Sequence, residues 1–284
     1  MSDKRCFYNR KNHCTTNLTK EHVVSRSVLK TLDLLGNGII KADVMKNVPV
    51  LDYEPVVKDV CSKCNNESLP IYDKSGKELA NFLKTEKNNN PLTIPFGNSE
   101  FGWLLKTHLN FFRVVKDKLT GKPFKVSQKL KNTLIDGKPF DNSLCFFLAR
   151  QNDNSVGYWD DVSDKKLPMF NYNSKRILPE QLIYSHFQIR QLDTILFFPT
   201  DGNYKNFSSR FDQFIKNWKS DPVLQSAIDI EGYELIDIEL LVRRKYFPLT
   251  HVMTPEMLEK RFGQAFNAKD GAHLTNLMKK KQQP

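Results

Sequence analysis

Leu18-Thr19-Lys20-Glu21-His22-Val23-Val24 and Cys61-Ser62-Lys63-Cys64-Asn65-Asn66 are the two stretches on which the reading of this chain turns. The first is a run with β-branched residues around an adjacent carboxylate and imidazole; the second is a two-residue cysteine knuckle followed at once by amides. Four of the five cysteines, Cys6, Cys14, Cys61 and Cys64, fall in the first 64 residues. Cys145 stands apart in the apolar run 144–148, where a small core residue is expected. Disulfides are disfavoured in a reducing compartment, so two cysteine pairs joined by a connecting stretch predict a tetrahedral thiolate zinc site. Cys61 and Cys64 are spaced so that both sulfurs of one tight turn reach a single ion. Cys6 and Cys14 are separated by seven residues, which requires a small loop or hairpin, and His13 is an alternative ligand to Cys14. The metal would be structural, because about 70 residues rich in Lys and Asn bury too little apolar surface to hold a fold unaided.

Working outward, the whole chain has 284 residues, more than one typical domain, with 39% hydrophobic and 26% charged residues. That balance, with 20 phenylalanines, excludes disordered and fibrous classes and predicts globular domains. No stretch approaches the roughly 18–20 continuous apolar residues of a membrane span, and the start MSDKRCFYNRKNHC lacks the apolar core of a secretory signal. A cytoplasmic location with no membrane partner is therefore expected. Lys and Arg number 43 against 32 Asp and Glu, a net charge of +11, which favours a polyanionic partner such as nucleic acid. The excess is strongest in residues 1–30.

The order Cys…Cys, then Glu21-His22-Val23, then Cys61-x-x-Cys64-Asn65 resembles the HNH endonucleases, the ββα-metal nucleases that carry zinc-knuckle cysteine pairs. The resemblance spans about residues 4–75. It implies a metal-dependent endonuclease acting on DNA, of the kind found in bacterial defence or mobile elements. It further implies that His22 is the general base that activates water, a task suited to an imidazole with an ordinary pKa of about 6.5. Glu21 and Asn65 match the protein ligands of the catalytic ion, a hard-oxygen pair suited to Mg²⁺ or Mn²⁺. Asp73 matches an acidic residue behind those ligands. The chain departs from the family at its first knuckle, where Asn9 takes the place of the second cysteine, and in Val56–Val60, which offers no match to the family's middle Asn. Neighbours in a regular strand point to opposite faces, so Glu21 and His22 can serve one phosphate only if the strand ends or twists there.

The fold class expected is α+β: a small zinc-stapled ββα-metal domain over residues 1–90, then a larger α+β domain over 91–284. Pro70 is expected to interrupt the helix after Asn65, with a restart near Lys77. Residues 84–91 read as a linker. An apolar helix with Ser99 as its cap carries His108 and Arg113, and it packs on the nuclease domain. Strands are expected at 144–149, 182–189, 195–198 and 234–242, and a helix carries Phe207, Phe211, Phe214, Ile215 and Trp218 on one stripe up to Pro222. Thr254-Pro255 opens a further helix. Arg243–Lys245 and Lys279–Lys281 are candidate phosphate contacts, and the second domain is a candidate docking unit for a protein partner or ligand. The rival reading is a zinc-finger module that binds nucleic acid without cutting it.

Overall fold

The computed structural model describes residues 5–34, 56–85, 92–117, 119–151, 157–160, 165–168, 170–244 and 246–249, all within the unit Met1–Thr250. The domain boundary expected near residue 90, the helix from Thr254 and the Lys279–Lys281 tail lie outside the described residues.

The chain enters through the first cysteine pair and forms β1 (Leu18–His22), followed by the short helix α1 (Arg26–Thr31). The antiparallel partner of β1 is β2 (Val56–Cys61), rich in valine as a half-buried strand requires. Pairing runs Leu18 to Cys61 and Thr19 to Val60, then shifts to Glu21 with Val57 and His22 with Val56. The extra residue on β2 twists the ribbon just before the Glu21-His22 pair.

After Cys61 the backbone makes one wide helical turn, closed by Leu69 N–H donating to the Cys64 carbonyl at 3.0 Å. The helix α2 (Pro70–Thr85) then starts on Pro70 itself, seven residues before the expected restart. Proline breaks the preceding turn and opens the next helix for the same reason, since the first helical residue needs no N–H partner. Tyr72, Ser75, Gly76, Leu79, Ala80 and Leu83 form its buried stripe.

β3 (Leu92–Pro95) leads into α3 (Asn98–Val114), in which every residue from Phe101 to Phe112 is buried. Its cap is Gly97 rather than Ser99: the Glu100 carboxylate accepts from the Gly97 N–H at 2.8 Å. α2 and α3 lie unusually close. A methyl group on Gly76 would meet the Trp103 ring at 2.4 Å, and one on Gly102 would meet the Tyr72 ring at 2.2 Å. Each helix thus uses a glycine to seat the other's aromatic ring.

α4 (Gln128–Asp136) is capped by Ser127 and ends on Gly137 in the left-handed region. The remaining strands are β4 (Phe146–Gln151), the hairpin β5 (Gly157–Asp160) and β6 (Lys165–Pro168), then β7 (Phe170–Ile177), β8 (Leu182–Ile189) and β9 (Leu192–Pro199). They are followed by α5 (Phe207–Ser220), α6 (Pro222–Ala227), β10 (Glu234–Ile236), α7 (Ile238–Arg244) and β11 (Tyr246–Leu249), which pairs with β3. An antiparallel sheet runs in the order β10-β4-β9-β8-β7. The strand expected over 234–242 stops at Ile236. Asp237 accepts from the Leu240 N–H at 3.0 Å and turns the alternating run into a helix start.

The sheet lies between two helices, so β9 is buried along its whole length. One face packs on α3, with Phe111 stacked on Tyr172 at 3.8 Å between ring centres. The other packs on α5, where Phe211 stacks on Phe146 at 4.0 Å. The core on the α3 side is continuous from Cys6 and Tyr8 through Leu79 and Trp103 to Phe198 and Leu241. The architecture is α+β, as the alternation of periodicities implied.

Candidate functional site

The four amino-terminal cysteines converge. Their sulfurs all lie within 4.8 Å of one another, and Cys6, Cys61 and Cys64 are buried while Cys14 is partly exposed. Cys64 Sγ sits 3.6 Å from Cys14 Sγ and 3.9 Å from Cys6 Sγ, far beyond a disulfide bond and close to the roughly 3.8 Å edge of a tetrahedron with 2.3 Å Zn–S bonds. The donor set and its spacing are therefore compatible with a structural zinc ion. The long gap from Cys6 to Cys14 is closed by Asn9 and Asn12 in the left-handed region, at φ 44° and 59°. The Arg10 N–H donates to Cys14 Sγ at 3.1 Å, and the Cys61 N–H to Cys6 Sγ at 3.3 Å. The Phe7 N–H, bonded to the Asp59 carbonyl at 2.6 Å, pins the first cysteine to β2. His13 is not part of the cluster: its Nε2 bonds the Ser68 hydroxyl at 3.2 Å. The hydrogen bond it shares with Cys64 holds the Cys6 thiol down to about 4, while that same pairing and burial push Cys64 far up.

Beside this cluster lies a cleft of about 220 Å³. β1 lines it with Lys20, Glu21 and His22, the segment after β1 with Ser25 and Arg26, the wide turn with Asn65, α2 with Asp73 and α3 with Lys106. All four residues expected at a catalytic site, Glu21, His22, Asn65 and Asp73, thus border one cavity. β1 ends at His22, and at this strand end Lys20, Glu21 and His22 all border the cleft. Asn65 donates through Nδ2 to the Thr19 hydroxyl at 3.0 Å and to the Lys20 carbonyl at 3.1 Å, tying the turn to β1. Its carbonyl oxygen is the atom left to offer a ligand.

Glu21 is buried, and its surroundings come from a distant part of the chain. Lys106, Asn110 and Arg113 recur at i, i+4 and i+7 on one face of α3. Lys106 Nζ lies 3.2 Å from Glu21 Oε1, Arg113 lies 2.8 Å from Oε2, and Asn110 Nδ2 donates to Oε1 at 3.3 Å. Asn110 also holds the His22 carbonyl at 3.0 Å and the Val23 carbonyl at 3.2 Å. One turn earlier, Trp103 donates to the Ser25 hydroxyl at 3.2 Å, and that hydroxyl donates to Asp73. Lys106 bridges to Asp73 as well, at 2.6 Å. Burial alone would raise the Glu21 carboxyl, but Arg113 and Lys106 outweigh it and hold it below the usual range. Burial would lower Lys106 in turn, and the two carboxylates reverse that and raise it. The sequence does carry a signal for this arrangement, polar residues at helical spacing in and just after the largely apolar run 101–112, although it does not name their partner.

Two polar clusters lie on the sheet. Asp193, fully buried, accepts from Tyr233 at 2.8 Å and Arg150 at 3.0 Å, and pairs with His186 at 2.6 Å. On the opposite face His108 Nδ1 bonds the Ser185 hydroxyl at 2.7 Å, sealed from solvent. Among the described residues the four cysteines are the only group of three or more Cys, His, Asp or Glu whose ligand atoms converge closely enough to hold a metal ion. None of the helices searched among those residues is long and apolar enough to cross a membrane. No protein-family model matches the chain, and no curated protein or solved structure matches it either.

Proposed function

We propose that this chain is a divalent-metal-dependent endonuclease that hydrolyses phosphodiester bonds in DNA, with Cys6, Cys14, Cys61 and Cys64 holding a structural zinc ion. The observation that carries the reading is the meeting of Glu21, His22, Asn65 and Asp73 around one cleft, on a two-stranded ribbon and the turn and helix that follow, beside a four-thiol cluster. His22 takes the proton from the attacking water. Glu21 and Asn65 offer oxygen donors of the kind Mg²⁺ or Mn²⁺ prefers, with Asp73 behind them. The ion supplies Lewis-acid charge for the phosphate and the leaving oxygen. Exposed Lys20 and Arg26 at the rim, on a chain with net charge +11, suit a polyanionic substrate.

Incubation of the zinc-loaded protein with supercoiled plasmid in Mg²⁺, Mn²⁺ or EDTA tests the reading; cleavage that requires the divalent ion is expected. His22→Ala should cut about 10²- to 10⁴-fold more slowly while keeping zinc content and melting temperature. Equal cutting by that variant removes His22 from the mechanism. A second reading, a zinc-knuckle module that binds DNA without cutting it, is favoured by one observation: both oxygens of Glu21 are already engaged by α3. Binding to plasmid with no cleavage in any metal would establish it instead.

A further inference from the structure

Lys106 stands out because α3 has no need of a charge there. The helix is buried along this stretch, and the Lys106 side chain is 2% exposed, yet its ammonium reaches the floor of the cleft and lies between two carboxylates from different elements. We propose that Lys106 is the charge-setting residue of the cleft: it lowers the affinity for the catalytic divalent ion and keeps the ion-loaded site positive toward a phosphodiester. This inference rests on the reading of the cleft as a divalent-ion site.

Glu21, Asp73 and Asp59 are joined in a single ion-pair network with Lys106 and Arg113, through contacts of 2.6 to 3.2 Å. Within this buried network, beneath the exposed Lys20 and Arg26 of the rim, three carboxylates against two cations leave one net negative charge, and a bound divalent ion brings the network to one net positive. Without Lys106 the empty cluster carries two negative charges, and the loaded one is neutral. A buried ammonium within contact distance of Glu21 and Asp73 therefore opposes an incoming ion in two ways, by repulsion and by occupying carboxylate oxygens the ion could use. The same charge favours the phosphate once the ion is in place. Arg113 also holds a Glu21 oxygen, but its guanidinium is shared with Asp59, lies over Phe7 and does not line the cleft, so Lys106 is the buried cation that an incoming ion meets.

A merely structural lysine predicts the opposite for ion binding, since its loss would loosen Glu21 and weaken every property of the site together. The two roles therefore separate in sign. Lys106→Met keeps the length of the side chain and removes its charge, and Lys106→Gln is a smaller polar alternative if the first fails to fold. With the zinc-loaded full chain, Mn²⁺ binding is measured by calorimetry and by the paramagnetic signal of free Mn²⁺, beside Glu21→Gln as the marker of the cleft. The expected result is Mn²⁺ bound at least about ten-fold more tightly than by the wild type, with plasmid cleavage at saturating Mn²⁺ reduced at least about ten-fold. The raised affinity should disappear when Glu21→Gln is added.

Unchanged or weaker Mn²⁺ binding in a folded variant overturns the inference while leaving the cleft as an ion site. Failure of both variants to fold even with Mn²⁺ present makes Lys106 a structural ion-pair partner, and overturns it too. If neither wild type nor variant binds Mn²⁺ in a Glu21-dependent way, the reading of the cleft itself fails. A wild type that binds none beside a variant that binds it through Glu21 supports the inference in its strongest form.

Discussion

The two faces of α3 look onto regions built in different ways. Toward β1 and α2 the helix presents Trp103, Lys106, Asn110 and Arg113, and the contacts are ion pairs and hydrogen bonds around a cleft. Toward the sheet it presents His108 and Phe111, and the contacts there are stacked and edge-on rings from Tyr172 and Phe187. Buried ion pairs add little net stability, because desolvation cancels much of their attraction, whereas buried aromatic surface adds a good deal. The ribbon side thus adds a polar network and a four-cysteine cluster to a core it shares with the sheet side, where aromatic packing predominates.

The largest effect should come from removing a cysteine of the cluster. Cys64 is fully buried and lies within 3.9 Å of Cys6 and Cys14, so Cys64→Ser is expected to abolish zinc binding and leave the β1-β2 ribbon unprotected. Zinc analysis and hydrogen exchange read this directly. Amides of residues 18–22 and 56–61 should exchange quickly, while those of β8 and β9 remain protected. Loss of protection in all of these together would break the comparison, because the two regions would then unfold as one.

The reciprocal change sits on the far side of the sheet. Phe197 is fully buried among Tyr184, Phe211 and Phe214, and Phe197→Ala leaves a cavity that α5 cannot close. A loss of about 3–5 kcal/mol is expected in denaturant unfolding, with zinc content unchanged in the folded protein. Zinc lost from the folded variant would show that the cysteine cluster depends on a core it does not touch.

What could be read from the sequence divides along the same line. The pairing of the cysteines announced their cluster, because two thiols at knuckle spacing are placed to share one neighbourhood. The aromatic stripe of α5 was legible from its period, and β8 from its apolar run. Glu21, His22 and Asn65 were found through a resemblance, and the strand end at which Glu21 and His22 border one cleft has no signature in composition. Lys106, Asn110 and Arg113 act on Glu21 from about 90 residues away, and helical periodicity marks a face without naming its partner. At residues 234–242 local alternation pointed to a strand, and a single side chain, Asp237, decided otherwise by capping a helix.

The smallest predicted effect concerns His108, on the sheet-facing side of α3. Its ring is fully buried, Nδ1 is held by Ser185, and Nε2 has no hydrogen-bond partner among the described residues. Burial pushes its pKa well below the ordinary histidine value, and the nearby His186 adds to the shift. The folded protein therefore keeps this imidazole neutral, while the unfolded chain takes up a proton near pH 6.5. Below that point the unfolded state binds more protons, so stability falls as pH falls, by up to about 1.4 kcal/mol per unit until the folded pKa is reached. Glu21 and Asp193 are held below the ordinary carboxylate range, so their contribution is present above the unfolded pKa of about 4 and is lost only at more acid pH. The window from about pH 6.5 to 5 thus isolates the histidine term from theirs. Denaturant unfolding of wild type and His108→Gln across that window should give a steeper pH dependence for the wild type. Equal slopes would mean that the ring gains a proton partner on this face when the pH falls, and that the face is less completely apolar than its stacked rings imply.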